Sequence, residues 1–76
     1  MQGPTSSEIG TRVRSLREAK GLSQQAVAAR AQVALRTLVR IEQGEDTKVG
    51  TLSLVASALG VPVAELVAAT PVKATA

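Results

Sequence analysis

The chain has 76 residues, with nine lysines or arginines against six aspartates or glutamates for a formal net charge of +3, and a chain this short buries only about 60% of the surface its unfolded form exposes, which excludes a second core. His, Cys, Phe, Trp and Tyr are all missing, which removes disulfides and thiolate or imidazole metal sites, the usual general bases and activated nucleophiles, and the aromatic platforms of single-strand and RRM-type RNA binders. No enzyme activity, metal or cofactor is therefore expected; no apolar run approaches the ~18 residues of a membrane span or forms a signal-peptide core, so the expectation is a cytoplasmic protein whose nucleic-acid partner is duplex DNA.

Taken in chain order, residues 1–4 read as a disordered start, residues 5–69 as one helical domain and residues 70–76, with Pro71, as a flexible tail. Thr5 and Glu8 have capping-box spacing and open a helix that runs to about Lys20. Ile9, Val13 and Leu16 form its apolar stripe, ended by the stem of Lys20; Arg12, Arg14, Ser15 and Glu18 look outward, and Arg17 lies at the stripe's edge. Gly21 breaks the helix, and Leu22 enters the core. Ser23 is a good N-cap for a second helix over residues 24–31 with Val27, Ala28 and Ala31 inward. After a turn at 32–34 a third helix covers 35–43, and Gly44 suits its left-handed C-terminal position. A polar loop leads to a fourth helix over 49–59 with Leu52, Val55, Ala56 and Leu59 at core spacing, stopping at Gly60. Pro62 then starts a short fifth helix to about Ala68, with Val63, Leu66 and Val67 apolar. No strand pattern of any length occurs, so the expectation is all-α, a bundle of five short helices.

The third helix carries the most informative pattern. At about 100° per residue Leu38 and Ile41 point to one side, while Leu35, Arg36, Val39 and Arg40 cluster on the other. Either arginine alone is explained by a solvated face, but their setting is basic. Residues 1–44 hold seven basic side chains against three acidic, and residues 45–76 hold two against three.

Three stretches in order, IGTRVRSLREAKGLSQQAVA, VALRTLVRIEQGE and TLSLVASALGVPVAELV, make residues 9–67 resemble the Xre/Cro/CI family of helix-turn-helix regulators. The resemblance implies a lambda-repressor-like fold with helices 2 and 3 as the helix-turn-helix. It also implies base reading in the major groove by Leu35, Arg36, Val39 and Arg40. Arginine suits bidentate contact with guanine, worth about 1–3 kcal/mol of discrimination, whereas Leu35 and Val39 offer only apolar contact and are equally read as packing against the DNA backbone or a partner chain. Phosphate contacts fall by the same resemblance on Ser23, Gln24, Gln43 and Lys48. For Gln24 the positive end of a helix dipole gives an independent reason, and Ser23 is also explained as a cap alone.

The family pattern pairs a helix-1 arginine with a glutamate at the end of helix 3, here Arg17 and Glu42, and the helical reading puts both beside apolar stripes. A partly buried structural ion pair is the expectation. Gln32 stands where the family commonly has Gly, and must accept a left-handed conformation or reshape the turn. Ala34 replaces the usual Ser or Thr cap, at a cost of about 1 kcal/mol. Glu45 and Asp46 place negative charge near the phosphate path.

One small module reads few bases, so a homodimer on two half-sites about 34 Å apart is expected, with Val63, Val67 and the tail as interface candidates, although each taken singly is more simply read as core or incidental exposure. The leading functional reading is a sequence-specific transcriptional regulator, most simply a repressor. A second is a module that also binds a protein, such as the antitoxin of a toxin–antitoxin pair, since GEDTKVGTL is similar to segments of such antitoxins. A restriction–modification controller is a near relative of the first. An enzyme, the third, has no acid/base pair or nucleophile to support it.

Overall fold

Thr5 opens the first helix because its hydroxyl accepts from the Glu8 N–H at 3.1 Å while the Glu8 carboxylate accepts from the Thr5 N–H at 2.8 Å, so two first-turn donors are satisfied reciprocally. The computed structural model describes residues 3–68 and orders them into α1 (Ser6–Ala19), α2 (Gln24–Ala31), α3 (Leu35–Glu42), α4 (Val49–Leu59) and α5 (Ala64–Val67). The expected tail at 70–76 and the first two residues of the expected disordered start lie outside the described residues. Among those described there is no strand, as the absence of any period-two pattern requires.

The apolar stripes meet in a single core. Val13 of α1, Val27, Ala28 and Ala31 of α2, Leu38 and Ile41 of α3, Leu52, Val55, Ala56 and Leu59 of α4 and Leu66 of α5 are all buried. The alanines of α2 keep its inner face flat, which lets the short helix lie against both α3 and α4, while α1 packs chiefly on α3. A different device sets the α1–α3 spacing. Gly10 is buried in α1, and a Cβ there would overlap the carbonyl oxygen of Ile41, with the Glu42 carbonyl at 3.1 Å. The two backbones come within touching distance, which only glycine allows.

Two expectations about side-chain direction and one about a helix start need correction. Lys20 is exposed, because α1 ends at Ala19 and Lys20, at φ −95° and ψ 3°, leaves helical spacing. Arg12, expected to look outward, is half-buried, and its Nη1 donates to the carbonyls of Leu66 at 3.1 Å and Ala68 at 2.7 Å. Those carbonyls belong to the end of α5, where helical acceptors lack partners. The fifth helix itself starts later than Pro62: the Glu65 N–H bonds to Pro62 and the Leu66 N–H to Val63, and regular i→i−4 bonding begins only at Val67.

The helix-turn-helix connection keeps its shape with unusual residues. Gln32 adopts φ 59° and ψ 42°, and Ala34 occupies the N-cap of α3 with no side-chain hydrogen bond. Gln32 is the non-glycine residue with positive φ among those described.

Candidate nucleic-acid interface

Helix α3 divides sharply between its two sides. Leu38 and Ile41 are sealed in the core. On the far side Arg36 and Arg40 are exposed, Val39 is half-buried, and Leu35 is 40% exposed, so apolar and cationic groups share one outward surface. Gln43, the C-cap of α3, is also exposed.

The orientation of that surface is set by Glu42, whose side chain is only 2% exposed. Arg17 meets it with both arms of the guanidinium: Nε donates to Oε2 at 2.7 Å and Nη2 to Oε1 at 3.1 Å, while Nη1 donates to the Leu22 carbonyl at 2.9 Å. The hydrogen bond to Glu42 raises the Arg17 pKa further above its ordinary value, so this guanidinium stays charged. A third donor arrives from α2, since Gln24 Nε2 donates to Glu42 Oε1 at 3.1 Å. One carboxylate thus ties α1, the start of α2 and the end of α3 together.

That bond changes the part Gln24 can play. Its side chain, expected to contact a phosphate, is half-buried and engaged internally. An amide nitrogen has two N–H donors, so one remains for an anion, together with the main-chain N–H groups of the first turn of α2. Ser23 caps α2, its hydroxyl accepting from the Ala26 N–H at 3.0 Å, and the hydroxyl proton stays available to donate. Lys48 is exposed at the start of α4.

Arg14 is a cation that sequence reading left without a role. Its side chain is 60% exposed, and its Nε lies 3.9 Å from Glu42 Oε1, the oxygen that Gln24 also binds. An exposed guanidinium therefore stands beside the first turn of α2. Helical spacing puts Arg14 outward but says nothing about which neighbouring helix end it meets.

The acidic loop after α3 is used internally. The Ser6 hydroxyl donates to the Asp46 carboxylate, fastening the loop to the start of α1. Glu45 Oε1 lies 3.9 Å from Arg40 Nε. Thr37, Arg40, Ile41, Glu45, Asp46 and Thr47 line an open cleft of about 190 Å³ at this end of α3. Val63 and Val67, candidates for an interface between copies, are half-buried and packed against the core. Among the described residues the large apolar side chains that remain exposed are Leu35, Val49 and Leu54.

Comparison with known proteins accords with this geometry. The helix-turn-helix family HTH_3 matches residues 13–66. The restriction-modification controller protein C.AhdI from Aeromonas hydrophila is 31% identical, with a TM-score of 0.77 over 80% of this chain and 94% of its own. The clp gene regulator ClgR from C. glutamicum is 31% identical, with a TM-score of 0.73 over 83% of this chain and 84% of its own. SinR, a master regulator for biofilm formation whose structure is of a complex with DNA, is 33% identical, with a TM-score of 0.72 over 76% of this chain and 95% of its own. No curated protein sequence matches the chain.

Proposed function

Because the chain belongs to the HTH_3 helix-turn-helix family, we propose that it is a sequence-specific transcriptional regulator, most simply a repressor, that lays α3 in the major groove of duplex DNA. One observation carries the reading: α3 has a fully buried inner face and an end fixed by the Glu42 hydrogen bonds, yet leaves Arg36 and Arg40 exposed beside Leu35. A recognition helix must be held rigidly while offering donors to base edges. The role we assign is binding without a chemical step, in the cytoplasm. Among the described residues no helix is long and apolar enough to cross a membrane.

Base edges are assigned to Arg36 and Arg40, with Leu35 and Val39 in apolar contact, and phosphates to the first turn of α2 at Ser23 and Gln24, to Gln43 and Lys48, and to Arg14. We extend the reading to a homodimer on a twofold operator. Val63 and Val67 spend their area on the core, so the side we assign to the twin is that of α4, which has no charged residue and leaves Leu54 49% exposed.

Duplex binding across a range of salt concentrations tests the division of labour. Arg36→Ala should cost about 1–3 kcal/mol of discrimination between preferred and random duplexes. Gln24→Ala should weaken both by a similar factor and, because the lost amide is uncharged, leave the salt slope nearly unchanged. If Arg36→Ala weakened the two duplexes equally, Arg36 would not be a base reader.

The match to C.AhdI over nearly its whole length supports a narrower version, a controller of a restriction–modification system. Adjacent endonuclease and methyltransferase reading frames, with a preferred duplex found upstream of them, are the outcome this version requires.

A further inference from the structure

Helix α3 ends in two backbone bonds: the Gly44 N–H donates to the Ile41 carbonyl at 3.0 Å and the Glu45 N–H to the Arg40 carbonyl at 3.0 Å. With Gly44 at φ 94°, this is the Schellman arrangement, which satisfies the last carbonyls and fixes the residue after the glycine relative to the one five positions before it. Glu45 is therefore placed against Arg40 by the main chain. Their side chains follow, with Nε 3.9 Å from Oε1, at 58% and 57% exposure.

So exposed a pair contributes little to stability. It does make the two arginines of the reading surface unequal. Among the described residues Arg36 has no carboxylate partner. Arg40 borders a cleft lined by both Glu45 and Asp46; the Asp46 carboxylate accepts from Ser6, and among the described residues Glu45 is the acid within ion-pair distance of Arg40.

From this placement we propose that Glu45 is a specificity-determining residue that acts through Arg40, rejecting phosphate and steering the guanidinium toward a base edge. The proposal rests on the reading of α3 as the groove-binding helix. A carboxylate beside the guanidinium cancels much of its attraction for the DNA backbone, which is the sequence-independent part of affinity. A carboxylate on the Nε side leaves the two terminal nitrogens as a parallel pair of donors, the geometry that guanine O6 and N7 accept. Both effects lower random binding relative to preferred binding. Glu45 is a positioning residue here and need not touch DNA.

The test uses the 76-residue chain and four variants: Glu45→Gln, Arg40→Ala, the two combined, and Asp46→Asn as a neighbouring loss of the same charge. Each is titrated into a random-sequence duplex and into a duplex enriched by the wild-type protein from a randomised pool, at several salt concentrations. Glu45→Gln should bind the random duplex about threefold more tightly, with a salt slope steeper by about one, and the ratio of enriched to random affinity should fall by about tenfold. In the Arg40→Ala background these changes should vanish. An unchanged ratio and slope in Glu45→Gln, persistence of the changes without Arg40, or an equal effect from Asp46→Asn would each overturn the role of Glu45 while leaving the DNA reading intact. A wild-type chain that binds no duplex and enriches no sequence would instead overturn that reading, and this proposal with it.

Discussion

A carboxylate as enclosed as that of Glu42 has lost most of its hydration, and three hydrogen bonds from Arg17 and Gln24 compensate for it. Removing one partner strands a charge, whereas removing both leaves an apolar gap that can repack. Arg17→Ala should therefore cost about 3 kcal/mol, lowering the melting temperature by more than about 10 °C in a domain of this size. A paired Arg17→Met and Glu42→Leu replacement should recover most of that loss, and equal melting points for the wild type and Arg17→Ala would contradict the pair's role. Because the folded pKa of Arg17 is raised, its contribution is complete below the unfolded guanidinium's pKa and fades only as pH rises through the still higher folded value. The part of this stability that depends on the Arg17 charge is consequently unchanged from neutral to moderately alkaline pH. The neighbourhood of Arg17 and Glu42 was readable from helical spacing and the family pattern, since both residues flank apolar stripes. The hydrogen bond from Gln24 was not, because an amide at a helix start has several partners of equal chemistry and only the packing of α2 on α3 selects one.

At the scale of elements, the sequence marks helix ends well where a side chain or a glycine makes the end: Thr5 with Glu8, Ser23, Gly44 and Gly60 all sit at the boundaries they suggest. It is weaker where tertiary contacts decide, and α5 shows this. Four residues form no stable helix alone; α5 persists because Leu66 is buried and Arg12 holds its terminal carbonyls. Arg12→Met keeps the apolar stem and loses the donors. It should cost about 1 kcal/mol and abolish hydrogen-exchange protection at Val67 and Ala68 before the amides of α2 and α4 are affected. Gly10 was likewise invisible as a packing residue, since a helix-interior glycine carries no sign of what approaches it. The turn offers the opposite experiment. Gln32→Gly relieves a left-handed conformation, and Ala34→Ser supplies the missing cap. Each should raise stability by about 0.5–1 kcal/mol in urea unfolding, and a loss from either would show that the turn relaxes differently from its present geometry.

For the molecule as a whole, charge and exposed apolar area lie on different elements. The reading surface on α3 is cationic, while α4 from Val49 to Leu59 has no charged side chain and leaves Leu54 half exposed. A single copy reading the groove with one eight-residue helix touches too few base pairs for a regulator's specificity. A twofold pair presenting two such helices about 34 Å apart doubles the bases read and matches one turn of duplex. Affinity should therefore depend on half-site separation. Two preferred half-sites centred about 10 base pairs apart should bind much more tightly than one, and inserting about five base pairs should return binding to the single-site value, because the second helix then faces the opposite side of the duplex. Leu54→Asp places a charge on the uncharged side without touching the core. It should leave the unfolding free energy within about 1 kcal/mol of wild type while removing the dependence on spacing. Retained spacing dependence in that variant would assign the twin to another face, and spacing-independent binding by the wild-type chain would mean that it reads DNA as a monomer.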